Sequence, residues 1–294
     1  MGSVKRLVKK SLRSLLPGHA PGFLIIGAQK SGTSSLHYYL DVHPNLAKGR
    51  LKEVHFFNRD SNFNRGFGWY EKHFLHPFSS NKLFYEATPN YLYSKLAPER
   101  IYKYKPGIKL ILVLRNPVDR AYSAWNMYRN FYVSKSIPDM LSKSPPGESG
   151  FFLYKYLFEN RSSFPSFKEC IDYEMQRMQS EEFFEEEPSF IRKGIYYLQL
   201  IEYLKFFPKD QLLIFGFKEL VDDRLNLLYK IEQFLSVEHF DFNSAHDVIN
   251  KIVVKKQDVR YAEKLDESIK IKLAGYYDEW NKKLFELTGK PLQW

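Results

Sequence analysis

The sequence predicts an α/β protein built on a central parallel sheet with helices on both of its faces. Short apolar runs rich in strand-forming residues recur along the 294 residues, and helical patterns separate them. Strands that alternate with helices form parallel sheets, because each connecting helix covers a face of the sheet. Neither an internal repeat nor a long linker is visible. We therefore expect one domain over residues 21–294, preceded by a basic segment over residues 1–20.

The first predicted strand and helix flank a loop bounded by glycines. Phe23–Ile26 is apolar throughout, which indicates a buried strand, and Ser34–Leu40 has a helical pattern. The loop Gly27–Thr33 (GAQKSGT) has the spacing of a phosphate-binding loop, but Thr33 stands where the usual ATP or GTP version has Lys. Backbone N–H groups of such a loop point at an anion, and Lys30 adds a positive charge from inside the turn.

Further strands and helices are predicted along the chain. Lys109–Leu114 (KLILVL) and Gln211–Phe217 (QLLIFGF) have the composition of buried strands. Asn116 is a good N-cap and Pro117 suits the first helical position, so a helix is expected from Pro117 to about Tyr128. Helical patterns also cover three later ranges, Ile195–Phe206, Leu225–Leu235 and Tyr261–Leu287.

Bulk composition limits the classes of function. The formal net charge of +10 attracts polyanions, which include nucleic acids, acidic lipids, phosphorylated nucleotides and acidic glycans. Cys170 is the only cysteine, so an intrachain disulfide is excluded, and no Cys/His spacing typical of a metal site is present. No run of about 18 apolar residues occurs, so no membrane span is predicted.

The basic segment over residues 1–20 has amphipathic character. Apolar residues recur at helical spacing from Val4 to Leu16, and the basic residues are distributed among them. A secretory signal peptide would instead have a basic head followed by an apolar block. A short helix of this kind either packs on its own domain or lies on an anionic membrane surface, so a peripheral membrane contact is one alternative.

Three segments together carry a resemblance to a known family. They are GAQKSGTSSL at Gly27–Leu36, KEVHFF at Lys52–Phe57 and RNPVDRAYS at Arg115–Ser123. Further matches follow at Glu86–Tyr91 (EATPNY), Gly194–Tyr196 (GIY), Phe207–Leu220 (FPKDQLLIFGFKEL) and Asn281–Trp294 (NKKLFELTGKPLQW). In this order they resemble the sulfotransferases that use PAPS (3′-phosphoadenosine 5′-phosphosulfate), most nearly the heparan sulfate N- and 3-O-sulfotransferases.

The resemblance implies a fold and a donor site. The family fold is a single α/β domain around a parallel sheet, similar to the P-loop nucleotide kinases, and it agrees with the pattern above. The residues implied at the 5′-phosphosulfate end of PAPS are Lys30, Ser31, Gly32, Thr33 and Ser34. Lys30 would also stabilise charge on the departing phosphate. Arg115 and Ser123 would hold the 3′-phosphate, and Tyr196 would belong to the same nucleotide site. Without the motif, Arg115 would be expected in a surface ion pair.

The resemblance also implies acid–base chemistry. Glu53 would be the general base that removes the acceptor's proton as the new bond to sulfur forms. If the Lys52–Phe57 segment is extended, His55 shares a face with Glu53 and orients the acceptor or stabilises charge. The alternative for His55 is a histidine hydrogen-bonded in the core. Preorganised cations and N–H groups are the main expected catalytic device, because negative charge spreads over the sulfuryl oxygens and the leaving phosphate. No metal is required.

This chain departs from the heparan sulfate enzymes at several positions. They usually carry Lys after the glutamate of the Glu86 segment, where this chain has Ala87, and this leaves the acceptor's identity open. Their basic loop that covers the nucleotide is flanked by a disulfide, which this chain cannot form. Its counterpart is expected within Asn250–Tyr261. The candidate nucleotide-covering residues there are Lys251, Lys255, Lys256 and Arg260. No membrane anchor is visible, so we expect a cytoplasmic enzyme, with a bacterial source as one option, rather than one of the Golgi lumen.

Two questions about function stay open at this point. Within sulfuryl transfer, an aromatic share of 17% and the positive charge favour a carbohydrate acceptor, but a lipid, a small alcohol or a phenol is the alternative. In other classes, the chain could be a P-loop kinase or NTPase, which Thr33 disfavours, or a non-catalytic polyanion-binding protein, which Glu53 disfavours. The expected partners are PAPS, its product PAP (adenosine 3′,5′-bisphosphate) and a glycan or other hydroxyl compound, without nucleic acid.

Overall fold

Five parallel strands form one sheet in the part of the chain that the computed structural model describes, residues 18–75, 81–143, 154–178, 189–245, 247, 264–292 and 294. The strands are β1 (Phe23–Gly27), β2 (Leu46–Lys48), β3 (Leu83–Ala87), β4 (Lys109–Leu114) and β5 (Leu212–Gly216). Their order is β2-β3-β1-β4-β5, and every neighbouring pair is parallel. The chain passes from β3 to β4 across β1. The carboxyl end of β1 therefore lies at a topological switch point, where open α/β sheets bind ligands.

Helices surround this sheet and also form a second group. In chain order they are α1 (Thr33–Leu40), α2 (Asp60–Phe63), α3 (Phe67–Glu71), α4 (Ala97–Tyr104), α5 (Pro117–Val133), α6 (Asp139–Ser142), α7 (Phe167–Arg177), α8 (Tyr196–Leu204), α9 (Phe217–Asp222), α10 (Arg224–Leu235) and α11 (Glu267–Thr288). Short 3₁₀ turns lie at Lys72–Phe74, Pro89–Tyr91, Arg192–Gly194, Lys209–Gln211 and Phe242–Ala245. Within the described ranges, no helix has both the length and the apolar character needed to cross a membrane.

The chain divides into two compact units. The sheet unit comprises the described residues within 1–114, 198–253 and 292–294, and it contains all five strands. The helical unit comprises those within 115–197 and 254–291. The expectation of one domain over 21–294 stays a prediction, and residues 1–17 lie outside the described residues.

The core of the sheet unit lies between one face of the sheet and two helices. Alternate residues of β1, such as Phe23 and Ile25, are fully buried against Leu36 of α1 and Ile231 of α10 in the same apolar cluster. The intervening residues of β1 are buried as well, so the strand is covered on both of its faces. A central strand of a parallel sheet is expected to be apolar throughout for this reason.

The helical unit has its own apolar core. Residues of α5, α7 and α11 contribute to it, among them Trp125, Ile171 and Leu273. The α5 helix begins as predicted, because the Asn116 side chain accepts hydrogen bonds from the N–H groups of Val118 and Asp119 at 3.0 and 3.3 Å.

The structure confirms the predicted fold class and most of its elements. The strand Lys109–Leu114 has the predicted limits, and the strand predicted at Gln211–Phe217 is one residue shorter at each end. The helix that starts at Pro117 runs to Val133, past the predicted end near Tyr128. The C-terminal helix begins at Glu267. The prediction missed β2 and β3.

Candidate functional site

The loop after β1 has a shape that depends on glycine. Gly32 has φ 89°, and a Cβ atom there would lie 2.7 Å from Cδ2 of Leu220 and 3.0 Å from the ring of Phe217. Lys30 also has a positive φ, at 69°. The Ser31 N–H donates to the carbonyl of Ala28 at 3.1 Å and closes the turn. Both the backbone conformation and the approach of α9 therefore require Gly at position 32.

Two features of this loop fit a phosphate-bearing ligand. The α1 helix starts at Thr33 without a side-chain cap at Gly32, so the N–H groups of its first turn face outward from the helix end. Ser31 is fully buried, and its Oγ has no hydrogen-bond partner among the described residues. A buried hydroxyl without a partner is costly, and an anionic oxygen would satisfy it. The loop residues thus fit the nucleotide donor that the sequence predicts.

Glu53 lies in a charged cluster with Lys52 and His55 in the sheet unit. Its Oε1 is 2.7 Å from Nζ of Lys52, and its Oε2 is 3.6 Å from Nε2 of His55. Burial raises the pKa of Glu53, but the His55 imidazole and the Lys52 ammonium outweigh that effect and lower the pKa to about 2. With 39% of its side chain exposed, Glu53 is an ionised carboxylate at neutral pH that an acceptor group can reach.

The backbone around His55 differs from the expected extended segment. His55 has φ 53°, in the left-handed region, so Glu53 and His55 do not share a face of a strand. Their side chains nevertheless lie close together, with Nε2 of His55 3.6 Å from Oε2 of Glu53. The Asn62 amide donates to the carbonyls of Val54 and His55 at 3.0 and 3.2 Å and helps to hold this turn.

His37 links the loop's helix to the Glu53 cluster. This residue is on α1 and is buried, and its carbonyl accepts the Tyr85 hydroxyl at 2.7 Å. Burial, together with the charges of Lys52 and Lys48, lowers the pKa of His37 to about 4, while Asp41 and, to a smaller extent, Glu53 oppose the shift. The helix that begins at the glycine loop therefore lies within electrostatic range of Glu53. No sequence pattern singled out His37.

The helical unit contains the other described residues that the sequence predicts for the donor site. Arg115 directly follows β4 in the chain, and its carbonyl accepts the Tyr196 hydroxyl at 2.9 Å. Ser123 lies on α5 and is buried. The structure thus brings Arg115 and Tyr196 together. The pairing of Arg115 with Ser123 on one phosphate stays a prediction.

The glycine of the GIY segment explains how Tyr196 is placed. A Cβ atom on Gly194 would lie 2.7 Å from the Tyr277 hydroxyl and 2.8 Å from Cβ of Pro117. The Tyr277 hydroxyl donates to the carbonyl of Ile191 at 2.8 Å. Only glycine allows the backbone to pass this closely to α5 and α11, just before α8 begins at Tyr196.

Some predicted site residues lie outside the described residues. They are Lys251, Lys255, Lys256 and Arg260. Across the described part of the chain, no group of three or more His, Cys, Asp or Glu side chains could hold a metal ion.

Comparison with known proteins gives consistent matches. Residues 20–280 match the family described as "Sulfotransferase domain". The membrane-associated sulfotransferase kil1 of Dictyostelium discoideum is 27% identical over 93% of this chain and 66% of its own length. Human heparan sulfate glucosamine 3-O-sulfotransferase 5 is 27% identical over 93% of this chain and 74% of its own. Human bifunctional heparan sulfate N-deacetylase/N-sulfotransferase 3 is 27% identical over 92% of this chain, which spans 30% of that protein.

Solved structures give the same fold. A sulfotransferase from Alicyclobacillus acidocaldarius superposes with a TM-score of 0.66 at 23% identity, over 93% of this chain and 98% of its own. Sulfotransferase STF9 from Mycobacterium avium superposes with a TM-score of 0.50 at 12% identity, over 95% of this chain and 80% of its own. These superpositions agree with the predicted sulfotransferase fold, whose central parallel sheet has five strands in this chain.

Proposed function

The chain belongs to the sulfotransferase domain family, and from this premise we propose that it transfers a sulfuryl group from PAPS to a hydroxyl or amine of a carbohydrate, with Glu53 as the general base. The match covers residues 20–280, which include the loop, the Glu53 cluster and the described donor-site residues of the helical unit. Enzymes of this family are PAPS-dependent transferases.

Loop residues of the sheet unit suit the phosphosulfate end of the donor. We assign Lys30, Ser31, Gly32, Thr33 and Ser34 to it. The buried Ser31 hydroxyl and the uncapped start of α1 support this assignment, because both offer donors to an anion. By resemblance, Arg115 and Ser123 bind the 3′-phosphate, Tyr196 belongs to the same nucleotide site, and Lys255, Lys256 and Arg260 cover the nucleotide.

Sulfuryl transfer needs a proton acceptor and a stabiliser for the leaving group. A lone pair of the acceptor oxygen or nitrogen forms the new bond to sulfur, and the bond from sulfur to the bridging phosphate oxygen breaks. The phosphate keeps that electron pair, and the acceptor's proton goes to Glu53. Lys30 places a positive charge where the phosphate charge develops. His55, beside Glu53, is suited to orient the acceptor or to stabilise the protonated carboxyl.

One observation carries this proposal. The glycine loop directly follows β1, whose Ile25 pairs with Ala87 of β3, and the Ala87 N–H donates to the carbonyl of Lys52 at 3.0 Å. The start of the loop and the ionised carboxylate of Glu53 therefore lie at the same edge of the sheet, in one unit. A transferase that must bring a donor anion and a proton acceptor to one place needs this combination.

A glycan is the acceptor class that the observations favour. Two of the relatives are named as heparan sulfate enzymes. The net charge of +10 suits an acidic polysaccharide. We propose a cytoplasmic location from the sequence, and a peripheral membrane contact through residues 1–20 stays a prediction because residues 1–17 lie outside the described residues.

The proposal is tested by transfer of ³⁵S from labelled PAPS to a panel of acceptors. The panel contains heparan sulfate, its unsulfated precursor, chondroitin, a sphingolipid and simple phenols. We expect label on a glycan and tighter calorimetric binding of PAP than of ATP with magnesium. Transfer only to the lipid or phenol arm would overturn the glycan assignment, and preference for ATP would overturn the donor assignment.

A pair of variants tests the base. Glu53→Gln should lower the transfer rate by about 10²–10⁴-fold, the usual contribution of general acid–base catalysis, and leave PAP affinity nearly unchanged. The matched control is Glu99→Gln, which removes an exposed carboxylate that is likewise paired with a lysine, Lys103 at 2.5 Å. An unchanged rate in Glu53→Gln would show that another group takes the proton.

A further inference from the structure

The segment that carries Glu53 and His55 runs beside β3 but is not a strand of the sheet. The β2 strand ends at Lys48, and the Gly49 N–H then donates to the carbonyl of Tyr85 at 2.8 Å. Farther along, the Ala87 N–H donates to the carbonyl of Lys52 at 3.0 Å. Beyond this point the regular ladder stops, and the next backbone groups of the segment need other partners.

Side chains from the end of β3 and the turn after it supply those partners. The Val54 N–H donates to Oε2 of Glu86 at 3.3 Å and to Oγ1 of Thr88 at 3.2 Å. The Phe56 N–H donates to the hydroxyl of Tyr91 at 2.9 Å. All of these residues are buried, with Glu86 and Thr88 fully so. The side chains of Glu86, Thr88 and Tyr91 thus accept the N–H groups that a neighbouring strand would otherwise have paired.

This arrangement fixes the residues in between. The bonded amides belong to Val54 and Phe56, while the side chains proposed to act on the acceptor belong to the alternate positions, Glu53 and His55. His55 also holds a left-handed backbone conformation, which non-glycine residues keep only where the surroundings determine it strongly. Glu86 accepts the N–H of Val54, and Val54 lies directly between Glu53 and His55 in the chain.

We propose that Glu86 is a positioning residue for sulfuryl transfer, whose carboxylate holds the Val54 amide and thereby aims Glu53 and His55 at the acceptor. The inference rests on the proposed role of Glu53 as the base. Glu86 itself does not reach the acceptor, because it is fully buried beneath the segment.

The surroundings of Glu86 support a role beyond stability. Its Oε1 accepts the hydroxyl of Tyr70 at 3.0 Å, so each carboxylate oxygen has a donor. Burial nevertheless raises the pKa of Glu86 to about 7, against the lowering effect of its hydrogen bonds from Tyr91, Tyr70 and Val54. An apolar residue of similar volume would be less costly in such a place. A glutamate at position 86 is explained if a buried hydrogen-bond acceptor is needed there for the segment that carries Glu53.

The test compares two substitutions of Glu86 with a matched control. Glu86→Leu removes the acceptor and keeps the volume, whereas Glu86→Gln keeps an acceptor oxygen for Val54. The control is Glu232→Leu, because Glu232 is also buried in the sheet unit and accepts a backbone N–H, that of Phe240 at 2.9 Å. Folding is checked by circular dichroism and PAP binding by calorimetry. Transfer is measured with labelled PAPS and heparan sulfate, and His55 is followed by imidazole ¹⁵N NMR.

We expect Glu86→Leu to lower kcat by about 10–100-fold, the effect of misplacing a catalytic group by roughly an ångström, with PAP affinity and acceptor KM nearly unchanged. The His55 resonances should shift in this variant. Glu86→Gln should restore most of kcat and the His55 spectrum, and Glu232→Leu should change neither.

Several outcomes would overturn the inference. One is a folded Glu86→Leu protein with unchanged kcat, and another is an equal loss of kcat in Glu232→Leu. A loss in Glu86→Gln as large as in Glu86→Leu would show that the charge, not the hydrogen bond, matters. If Glu86→Leu does not fold, Thr88→Val removes one acceptor of the same amide and should shift the His55 resonances and lower kcat; no change would overturn the inference. If the unmodified enzyme transfers no sulfate, the proposed function fails, while the His55 spectra still report on positioning.

Discussion

Nζ of Lys52 lies 2.7 Å from Oε1 of Glu53, so the proposed base is neutralised by its neighbour in the chain. A carboxylate held at a pKa of about 2 is ionised over the whole physiological range but accepts a proton weakly. The pair with Lys52 therefore keeps Glu53 ionised and at the same time weakens it as a proton acceptor.

Replacing Lys52 should make Glu53 easier to protonate. The pKa of Glu53 is lowered in part by the Lys52 charge, so Lys52→Met should raise it by about one unit or more. The measurement is a ¹³C NMR titration of the Glu53 carboxyl. Lys48→Met, which removes a lysine paired with Asp41 at 2.5 Å, is the control and should leave the Glu53 titration in place. An identical titration in Lys52→Met would mean that the ion pair does not persist in solution.

Replacing Ser31 with Ala should have different effects on the stability of the unliganded protein and on its affinity for PAP. The buried Ser31 hydroxyl has no partner among the described residues, so Ser31→Ala should leave the unliganded protein as stable as before or more stable. PAP affinity should fall by about tenfold, because a hydrogen bond to a charged group is lost. Thermal melting with and without PAP measures both effects. A variant that binds PAP normally would remove Ser31 from the donor site.

Gly32 and Gly289, which both lie in the left-handed backbone region, separate backbone strain from crowding. Gly289 has φ 72° and ψ 7°, and no described atom lies within 4 Å of the place that a Cβ would take, so Gly289→Ala should cost only the left-handed term of about 1–2 kcal/mol. Gly32→Ala adds the collision with Leu220 and should cost about 1–3 kcal/mol more. Denaturant unfolding measures both values. Equal losses would indicate that α9 moves away from the loop easily.

Glu174 should make stability depend on pH. Burial raises the pKa of this helical-unit carboxyl from 4.5 to about 7, although the backbone N–H groups of Arg192 and Ile191 oppose the shift. Between pH 4.5 and 7 the Glu174 carboxyl therefore keeps a proton in the folded state that it has lost in the unfolded state. Its contribution to stability is fully present below pH 4.5 and declines as pH rises to 7, by at most about 1.4 kcal/mol per pH unit.

Glu174→Gln should flatten that slope between pH 4.5 and 7 in urea unfolding. The exposed Glu279, paired with Lys283 on α11 at 2.6 Å, provides the control substitution Glu279→Gln, which should keep the slope of the unmodified protein. A slope that is the same in both variants would show that Glu174 is ionised in the folded state.

Sequence reasoning succeeded where the local pattern was sufficient. The runs FLII and KLILVL are apolar at nearly every position, so their burial on both faces of a sheet could be predicted without knowing their neighbours. The loop between β1 and α1 was found from its glycine spacing. The family motifs drew attention to Glu53 and His55, and Oε2 of Glu53 lies 3.6 Å from Nε2 of His55, although the segment is not extended as expected.

The missed features depend on contacts distant in sequence. The β2 strand has three residues and β3 contains the charged Glu86, so neither shows a continuous apolar run. Glu86 is buried only because Tyr70 and Val54 supply donors from elsewhere in the chain. The left-handed backbone at His55 has no local signal either, since histidine does not demand it.

The close approach of Gly32 to Leu220 has a consequence for biosynthesis. These residues are separated by most of the sheet unit's sequence, and β5, which precedes α9, pairs with β4. A nascent chain emerges from its amino end and folds by domains. The glycine loop is made early but cannot reach its packed form until Leu220 has been synthesised. A chain that ends before Leu220 therefore lacks the contact between its glycine loop and α9.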